Sequence, residues 1–454
     1  MKIIIAGIGK VGTTLTAQLA ADGHDITVID EKASRLERAC AKFDVMGLEG
    51  NCATAQTLRD AGVSEADLMI AVTGADEVNL LCCITAHEIN PSLHTIVRIR
   101  NTEYAEQIRE MRNVFGLSLI VNPERSAAVE IERLLRFPGF LKRESFAKGH
   151  VELVEFRISE SNPLAGLSLK EAPEVLKAKV LVCAVQRGNE VILPKGDFVL
   201  ALGDRVFLTA PAKTLGALLR DLGIITHKVR RVILGGGGRL SFYLAQLLVR
   251  DGIQTQIIDN DKDRCLELSK KLPEASICYG DITIPSILEA EGLASCDAFV
   301  ALTGMDELNI IMSLYAISQK VPIVITKQGH IDELKDIVGN LSLGSIISPK
   351  ELCSDVVVRY VRSMRDTSGD TAITVQSVAG GQIEAAEFMI VSGSLNQDKP
   401  LKDLKLKPGV LIAAISHRGT TTIADGSSCF TQGDTVVVVS ADSANIQRFN
   451  DIFA

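Results

Sequence analysis

The chain has 454 residues, of which 46% are hydrophobic and 23% are charged, and its formal net charge is −8. This length suits roughly three to four domains of about 100–150 residues each, and the composition excludes general disorder. The acidic balance argues against a nucleic-acid partner, because clustered Lys and Arg supply most of the affinity for a phosphate backbone.

Targeting and redox signals in the sequence indicate a cytoplasmic protein. The apolar run at residues 3–5 is too short for the core of a signal peptide, and no stretch of about 18 apolar residues could span a bilayer. The ten cysteines are scattered, no C-x-x-C motif occurs, and no histidine lies at ligand spacing from a cysteine pair. We therefore expect buried thiols, with neither disulfides nor a metal site.

From residue 2 to about 135, short apolar runs alternate with helical patterns, as in a doubly wound α/β domain with a parallel sheet. The patterns predict strands at 2–6, 25–30, 44–48, 67–73, 94–100 and 118–121. They predict helices near 11–22, 33–42, 54–62, 77–90 and 103–114. Six strands and five helices would complete one Rossmann-like domain.

A glycine-rich loop, Gly7-Ile8-Gly9-Lys10-Val11-Gly12, joins the first predicted strand to the first helix. In such a loop the first glycine permits the tight turn, the second admits a pyrophosphate, and the third lets helix and strand pack closely. Asp30 ends the second strand, where a carboxylate accepts hydrogen bonds from both ribose hydroxyls and repels a 2′-phosphate. The pattern predicts a site for NAD or adenosine nucleotides rather than NADP.

Polar residues follow the fourth and fifth strands. Thr73-Gly74 lies at the carboxyl edge of the sheet, where it could contact the adenosine part of a ligand. Asp76, Glu77 and Asn79 are expected to cap the next helix and compensate its dipole. Arg98 and Arg100 alternate on one strand and could both reach bound phosphates.

A different pattern begins after Arg136, where Phe137-Pro138-Gly139-Phe140 interrupts the alternation. Short strands are predicted at 151–158, 180–185, 191–193 and 205–209, which indicates a small α+β unit. Linkers are expected near 136–150, 222–230 and 363–371.

Both units then recur. Gly236-Gly237-Gly238-Arg239-Leu240-Ser241 repeats the glycine loop, Asp259 repeats Asp30, and Thr303-Gly304 repeats Thr73-Gly74. In the small unit, Arg187-Gly188 and Gly203-Asp204 are answered by Arg418-Gly419 and Gly433-Asp434. The repeat predicts four domains in the order 1–136, 137–228, 229–362 and 363–454.

The two copies differ at positions that would face a ligand. Ser241 replaces the third glycine, and Ile325 and Lys327 are taken as equivalents of Arg98 and Arg100. A single lysine reads phosphate charge differently from two guanidinium groups. We expect two non-equivalent sites.

Catalytic residues are not evident in the sequence. None of the seven histidines has a histidine counterpart in the other half, and no nucleophile elbow or P-loop lysine motif occurs. A hydride-transferring enzyme needs an acid or base at the nicotinamide. A non-enzymatic protein is favoured, with a soluble NAD-dependent oxidoreductase as the alternative.

The chain resembles the TrkA family, peripheral regulatory subunits of Trk-type potassium uptake systems built from RCK (KTN) domains. The resemblance covers essentially the whole chain and rests on residues 1–12, on Ala71-Val72-Thr73-Gly74-x-Asp76-Glu77-x-Asn79, on Arg98-Ile99-Arg100-Asn101 and on the tandem order of domains. It implies two Rossmann-like RCK-N domains, each followed by a small α+β RCK-C domain. The small domains would serve dimerisation or, as in some relatives, bind a cyclic dinucleotide.

The resemblance also implies a function: a cytoplasmic ring of identical chains at the inner face of the cell membrane, gating a membrane-embedded potassium transporter or channel subunit. NAD(H) and regulatory ATP or ADP are the implied ligands. The implied contacts in the first copy are Gly7 to Gly12, Asp30, Asn51, Thr73, Gly74 and Arg98. Those in the second copy are Gly236, Gly237, Gly238, Arg239, Leu240, Asp259, Asp281, Thr303 and Gly304.

Overall fold

The structure is a computed structural model. It describes residues 1–136, 142–146, 150–160, 162–176, 179–188, 190–211, 218, 221–222, 229–329, 343–364, 372–378, 382–417, 420–441, 446 and 448–454. These residues form two compact units: Met1–Arg136 with Val229–Val358, and Phe137–Lys228 with Arg359–Ala454.

The first Rossmann domain has a six-stranded parallel sheet in the order β3-β2-β1-β4-β5-β6. Its apolar strand β1 is buried on both faces, as parallel sheets require. The strands are β1 Lys2–Ala6, β2 Asp25–Asp30, β3 Met46–Glu49, β4 Leu68–Ala71, β5 His94–Arg98 and β6 Leu119–Val121. The helices are α1 Lys10–Ala21, α2 Ala33–Lys42, α3 Ala55–Asp60, α4 Asp76–Ile89, α5 Thr102–Glu110 and α6 Pro123–Arg136. The doubly wound fold is confirmed, but the expectation of five helices missed α6.

The second Rossmann domain repeats this topology, in the order β14-β13-β12-β15-β16-β17. Its strands are β12 Arg231–Gly235, β13 Gln254–Asp259, β14 Ser276–Tyr279, β15 Ala298–Ala301, β16 Ile323–Lys327 and β17 Ser345–Ile347. Its helices are α8 Arg239–Arg250, α9 Lys262–Lys271, α10 Pro285–Ala290, α11 Asp306–Ser318 and α12 Pro349–Met364. The helix α7, Ala172–Val175, belongs to the small unit that precedes this domain in the chain. Residues 363–364, expected in a linker, lie in α12, and residues 365–371 are outside the described part of the chain.

The helix α6 of the first domain belongs to the hydrophobic core of the second. Ala127, Ala128, Ile131 and Leu135 on α6 are fully buried in one cluster with side chains of β12 and α8. Burying an Ile or Leu side chain contributes about 1.5–3 kcal/mol, so this contact stabilises the pair of domains substantially. The two Rossmann domains therefore form one folded unit.

Each small unit contains a five-stranded sheet with antiparallel pairing, in the orders β10-β9-β11-β8-β7 and β18-β19-β22-β20-β21. The first comprises β7 Lys142–Phe146, β8 Val151–Arg157, α7 Ala172–Val175, β9 Leu181–Arg187, β10 Glu190–Ile192 and β11 Arg205–Pro211. The second comprises β18 Ala372–Val378, β19 Ile383–Met389, β20 Val410–His417, β21 Thr420–Ile423 and β22 Thr435–Ala441. Strand β7 lies where a linker was expected, because that segment pairs with β8.

The two small sheets lie in the same compact unit and pack on each other through one apolar cluster. Phe207 and Leu153 of the first sheet belong to this cluster together with Ala385 and Val437 of the second. The register of the strands corrects one expected equivalence. His417 pairs with Thr420 as Arg187 pairs with Glu190, so His417 and not Arg418 takes the place of Arg187. Accordingly, Arg187 contacts Asp204 at 2.7 Å and His417 contacts Asp434 at 2.6 Å.

The contact between α6 and α8 contains a pair of carboxyl groups that makes stability depend on pH. Burial raises the pKa of Glu132 on α6, and the hydrogen bond to the Asp251 carboxyl after α8 raises it further. A raised folded-state pKa favours the protonated form, so this contribution is present below the ordinary pKa of 4.5 and is lost as pH rises through the folded-state pKa.

We expect Glu132→Gln to raise the melting temperature at neutral pH, because glutamine keeps the shape of the protonated acid and can donate to Asp251. The gain should disappear below pH 4.5, where Glu132 is itself protonated. Thermal unfolding monitored by circular dichroism at both pH values measures it. Glu130→Gln on the same helix is the control, since Glu130 lies beside Arg133 at 3.5 Å. A loss of stability in Glu132→Gln at neutral pH would contradict the role given to the raised pKa of Glu132.

Candidate functional site

The first glycine loop has the backbone geometry of an anion-binding turn. Gly7 has φ +96°, and a Cβ there would lie 2.8 Å from the Thr73 backbone. A Cβ on Gly12 would lie 1.9 Å from the Gly7 carbonyl oxygen, so helix α1 can approach the strand only without a side chain at that position. By contrast, a Cβ on Gly9 would have no atom of the described residues within 4 Å of it. The open side of the loop thus lies at the N-terminus of α1, where free N–H groups favour anions.

Asp30 holds this loop from the end of β2. One carboxylate oxygen, Oδ2, accepts from Ile8 N at 2.8 Å, and Oδ1 accepts from Lys32 N at 3.0 Å. The Arg35 guanidinium also reaches Oδ2, at 3.3 Å. Oδ2 thus already accepts two hydrogen bonds, whereas Oδ1 accepts one from the described residues and has room for a ribose hydroxyl. Asp30 therefore shapes the loop in addition to the ribose contact that its position predicted.

The polar residues after β4 have a different role from the predicted capping. Asn79 Oδ1 accepts from Thr73 N at 2.7 Å, and its Nδ2 donates to the Arg98 carbonyl at 3.0 Å. Asp76 Oδ2 accepts from the backbone N–H groups of Arg100 and Asn101, at 2.8 and 2.7 Å. These side chains join the carboxyl ends of β4 and β5, and helix α4 has no side-chain cap.

Two arginines, at and just beyond the end of β5, contact the Thr73–Gly74 loop. The Arg98 guanidinium donates to the Thr73 carbonyl, and Arg100 Nη2 donates to the Gly74 carbonyl at 2.8 Å. Burial lowers the pKa of Arg98, and the neighbouring Arg100 charge lowers it further. Strand β5 ends at Arg98, so Arg100 lies beyond the strand on which it was predicted. We call the space bounded by Gly7–Gly12, Asp30, Asn51, Thr73–Gly74 and Arg98 the first cleft.

The second cleft, bounded by Gly236–Leu240, Asp259, Asp281 and Thr303–Gly304, repeats these contacts. Gly236 has φ +105°, and Asp259 Oδ2 accepts from Gly237 N at 2.5 Å. Ser241, which replaces the third glycine, is buried and donates its hydroxyl to the Gly236 carbonyl. The serine thus fastens the loop to the first turn of α8.

The expected equivalence of Ile325 and Lys327 with Arg98 and Arg100 is wrong by two residues. Asn309 Nδ2 donates to the Lys327 carbonyl as Asn79 does to that of Arg98, and Lys327 Nζ donates to the Thr303 carbonyl at 2.8 Å. Lys327 therefore takes the place of Arg98. Gly329, whose N–H donates to Asp306 Oδ2, takes that of Arg100. The second cleft has one cation where the first has two.

The remaining positions carried over from the resemblance lie in short turns after β3 and β14 or in the first turns of α1 and α8. Asn51 Oδ1 accepts from Ala53 N at 2.9 Å, and Asp281 Oδ1 accepts from Thr283 N at 2.9 Å. Hydrogen bonds from the Thr283 backbone and hydroxyl lower the pKa of Asp281. Lys10 and Val11 begin α1, and Arg239 and Leu240 begin α8, so both pairs lie in the anion-binding first turn.

The rims of the clefts differ in polarity. Tyr279, Ile284 and Met305 at the second cleft are 62%, 46% and 61% exposed. Their counterparts at the first cleft are Glu49, Thr54 and Ala75. Thr54 caps α3 through its side chain, whereas Ile284 makes no side-chain cap on α10. Large exposed apolar side chains replace polar or small ones at the second mouth.

Sequence reasoning missed two residues that connect the domains. Asn122 Nδ2, directly after β6, donates to Tyr243 Oη on α8 at 3.0 Å, and Tyr243 Oη donates to the Arg100 carbonyl at 3.5 Å. Tyr243 occupies the position of Thr14 in the first copy. That replacement is the only sequence signal, and it does not identify a partner more than a hundred residues away.

Two Rossmann-type clefts at the carboxyl edges of paired parallel sheets define a tandem nucleotide-binding protein. The TrkA-N domain family matches residues 3–123 and 232–349, and the TrkA-C domain family matches residues 153–223. The Trk system potassium uptake protein TrkA of Halomonas elongata is 31% identical over 469 residues, covering 100% of this chain and 98% of the relative. The TrkA homolog of Archaeoglobus fulgidus is 30% identical, covering 100% of both chains. The chain belongs to the TrkA family.

Solved structures share the fold at low sequence identity. The RCK domain of GsuK has a TM-score of 0.63 and 17% identity, covering 97% of this chain and 92% of its own. The GsuK channel bound to NAD has a TM-score of 0.62 and 16% identity, covering 97% of this chain and 77% of its own. Across the described residues, no helix combines the length and apolar character needed to cross a membrane.

We expect Asp30→Ala to weaken binding of ATP and NADH in the first cleft by about 1–3 kcal/mol, because it removes a charged acceptor and releases the loop at Ile8. Isothermal calorimetry on the full chain measures this loss. Asp25→Ala, at the opposite end of β2, is the matched control and should bind like the unmodified chain. Unchanged affinity in Asp30→Ala would place the ribose elsewhere.

Proposed function

We propose that this chain is the nucleotide-sensing regulatory subunit of a Trk-type potassium uptake system. It would act on a separate, membrane-embedded transporter or channel subunit, from the cytoplasmic face. The observation that carries the proposal is the pair of unequal Rossmann clefts built into one folded unit of a TrkA-family chain. A regulator needs a ligand that binds differently to two arrangements of the protein, and joined nucleotide domains offer such arrangements.

NAD(H) and ATP or ADP are the proposed ligands. Asp30 and Asp259 lie at the ends of the second strands, where a ribose is held and a 2′-phosphate is repelled. Open space above Gly9 and Gly238 would admit phosphates to the helix N-termini. Solved structures of GsuK bound to NAD and to ADP support the same ligand class for this fold.

Absence of catalysis is part of the proposal. The side chains at the clefts hold backbone carbonyls and N–H groups, as Arg98, Asn79 and Asp76 do, and the described rim offers no histidine as acid or base. An NAD-dependent oxidoreductase is the alternative. Oxidation of NADH by the purified chain with carbonyl compounds, followed by the loss of NADH absorbance, would favour that alternative.

Discrimination by phosphate number is proposed for the first cleft. Arg98 and Arg100 there present two guanidinium groups, whereas Lys327 presents one ammonium group whose pKa is lowered by burial. Two forked donors can bind a polyphosphate at defined positions, and a lysine acts as a single mobile charge.

We expect Arg98→Lys, which copies the second cleft, to reduce the ratio of ATP to ADP affinity roughly fivefold, about 1 kcal/mol. The reciprocal Lys327→Arg should leave that ratio within about twofold. Calorimetry gives the affinities, and potassium flux through the reconstituted partner gives the functional result. Loss of the nucleotide response in Lys327→Arg with a normal response in Arg98→Lys would place the switch in the second cleft.

Self-association is proposed because equivalent apolar side chains are exposed on two repeated helices. Leu81 on α4 and Ile311 on α11 occupy matching positions and are both exposed, and Leu314 lies one turn beyond Ile311. Repeated surfaces of this kind favour closed symmetric assemblies.

Light scattering at micromolar concentration should give a mass that is a multiple of the chain mass. Leu81→Asp combined with Ile311→Asp should lower that mass, because a buried charge opposes association. Leu266→Asp, at an exposed apolar position on α9, should not. A monomeric unmodified chain, with and without nucleotide, would exclude a ring.

A further inference from the structure

One tyrosine hydroxyl connects the second Rossmann domain to the first cleft. Tyr243 lies one turn into α8, which begins at Arg239. Its Oη accepts from Asn122 Nδ2 at 3.0 Å and donates to the Arg100 carbonyl at 3.5 Å. The ring packs edge-on against Phe242 at the border of the cluster shared by α6 and α8, which fixes where the hydroxyl lies.

At the first cleft, the tie acts on the segment that carries Arg100. The Arg100 N–H donates to Asp76 Oδ2 at 2.8 Å, and its guanidinium Nη2 donates to the Gly74 carbonyl at 2.8 Å. A shift of the Arg100 backbone therefore moves a cation and the Gly74 loop together. Asn122 belongs to the same arrangement, since its Oδ1 accepts from Arg125 N at the start of α6.

At the second cleft, the tie begins in the anion-binding loop. Ser241 donates its hydroxyl to the Gly236 carbonyl, so the loop and the first turn of α8 move as one piece. Tyr243 follows Ser241 by two residues. In the first copy the equivalent Thr14 donates to Lys10 within its own helix, at 3.0 Å, and makes no such tie among the described residues.

We propose that Tyr243 is a positioning residue that couples nucleotide binding in the second cleft to the placement of Arg100 in the first. The inference rests on the proposed function, because both clefts must bind nucleotide. Phosphates at the N-terminus of α8 pull on the loop and on the attached helix turn. The hydroxyl transmits that displacement to the Arg100 carbonyl, and the affinity of the first cleft changes with it.

Calorimetric titration of the full chain with ATP tests this coupling. Asp259→Ala reports the first cleft while binding in the second is weakened, and Asp30→Ala reports the second cleft while binding in the first is weakened. The two-site isotherm of the unmodified chain then gives the coupling factor, the ratio of first-cleft affinities with the second cleft filled and empty. We expect this factor to differ from one by at least about fivefold. Tyr243→Phe, which keeps the ring and removes the hydroxyl, should bring it to within about twofold of one.

Tyr315→Phe is the matched control, because the Tyr315 hydroxyl bonds Glu289 at 2.9 Å within the second domain. It should retain the full coupling factor. Coupling that survives Tyr243→Phe, or a factor of one in the unmodified chain, would overturn the proposal. A lowered melting temperature with unchanged coupling would assign Tyr243 a structural role only. If the unmodified chain binds none of ATP, ADP and NADH, the proposed function itself fails.

Discussion

The packing of α6 against α8 is the contact on which the nucleotide-binding unit depends. The helix starts directly after the last strand of the first domain, but its buried face, Ala127, Ala128, Ile131 and Leu135, lies in the core of the second. The small alanines let the helices approach closely, and the larger residues fill the space beside Leu240 and Phe242. Separating the domains would expose this face, so their clefts cannot be regarded as independent modules.

Much of the fold follows from local patterns in the sequence. Short apolar runs that alternate with helical patterns predicted all six strands of the first sheet. The signal is strongest for β1 and β4, because a strand buried on both faces needs a continuous apolar run. The helix α6 also has a local signal, since Pro123 suits a first helical turn and Ile131 and Leu135 recur at helical spacing. The sequence gives no signal that α6 packs against α8, because a contact between segments more than a hundred residues apart leaves no periodic pattern.

The site residues also divide into those that local sequence patterns predict and those that they do not. Gly7, Gly12 and Asp30 were predictable because the backbone of a single turn imposes their chemistry. Asp76 and Asn79 were not, because polar residues at a helix start normally cap it, and here they bind backbone groups at and just beyond the end of β5. The second copy is one residue shorter between Asn309 and Lys327 than the first is between Asn79 and Arg98, so counting along the chain does not give the equivalence of Lys327. The strand pairing and the hydrogen bonds of Asn79 and Asn309 reveal that register.

Because the two copies have diverged, the two clefts can differ in their affinity for a given nucleotide, which two identical clefts could not. A ligand shifts an equilibrium only by its differential affinity for the states involved, so equal clefts would respond to one nucleotide alike. Here the backbone geometry is kept, with Asp30 and Asp259 in matching roles, while the cations and the rim differ. At the positions of Arg98 and Arg100 the first cleft presents two cations and the second presents one, while the second presents exposed apolar side chains such as Tyr279. Because the buried face of α6 joins the two domains, the proposed coupling between the clefts has a physical connection within one folded unit.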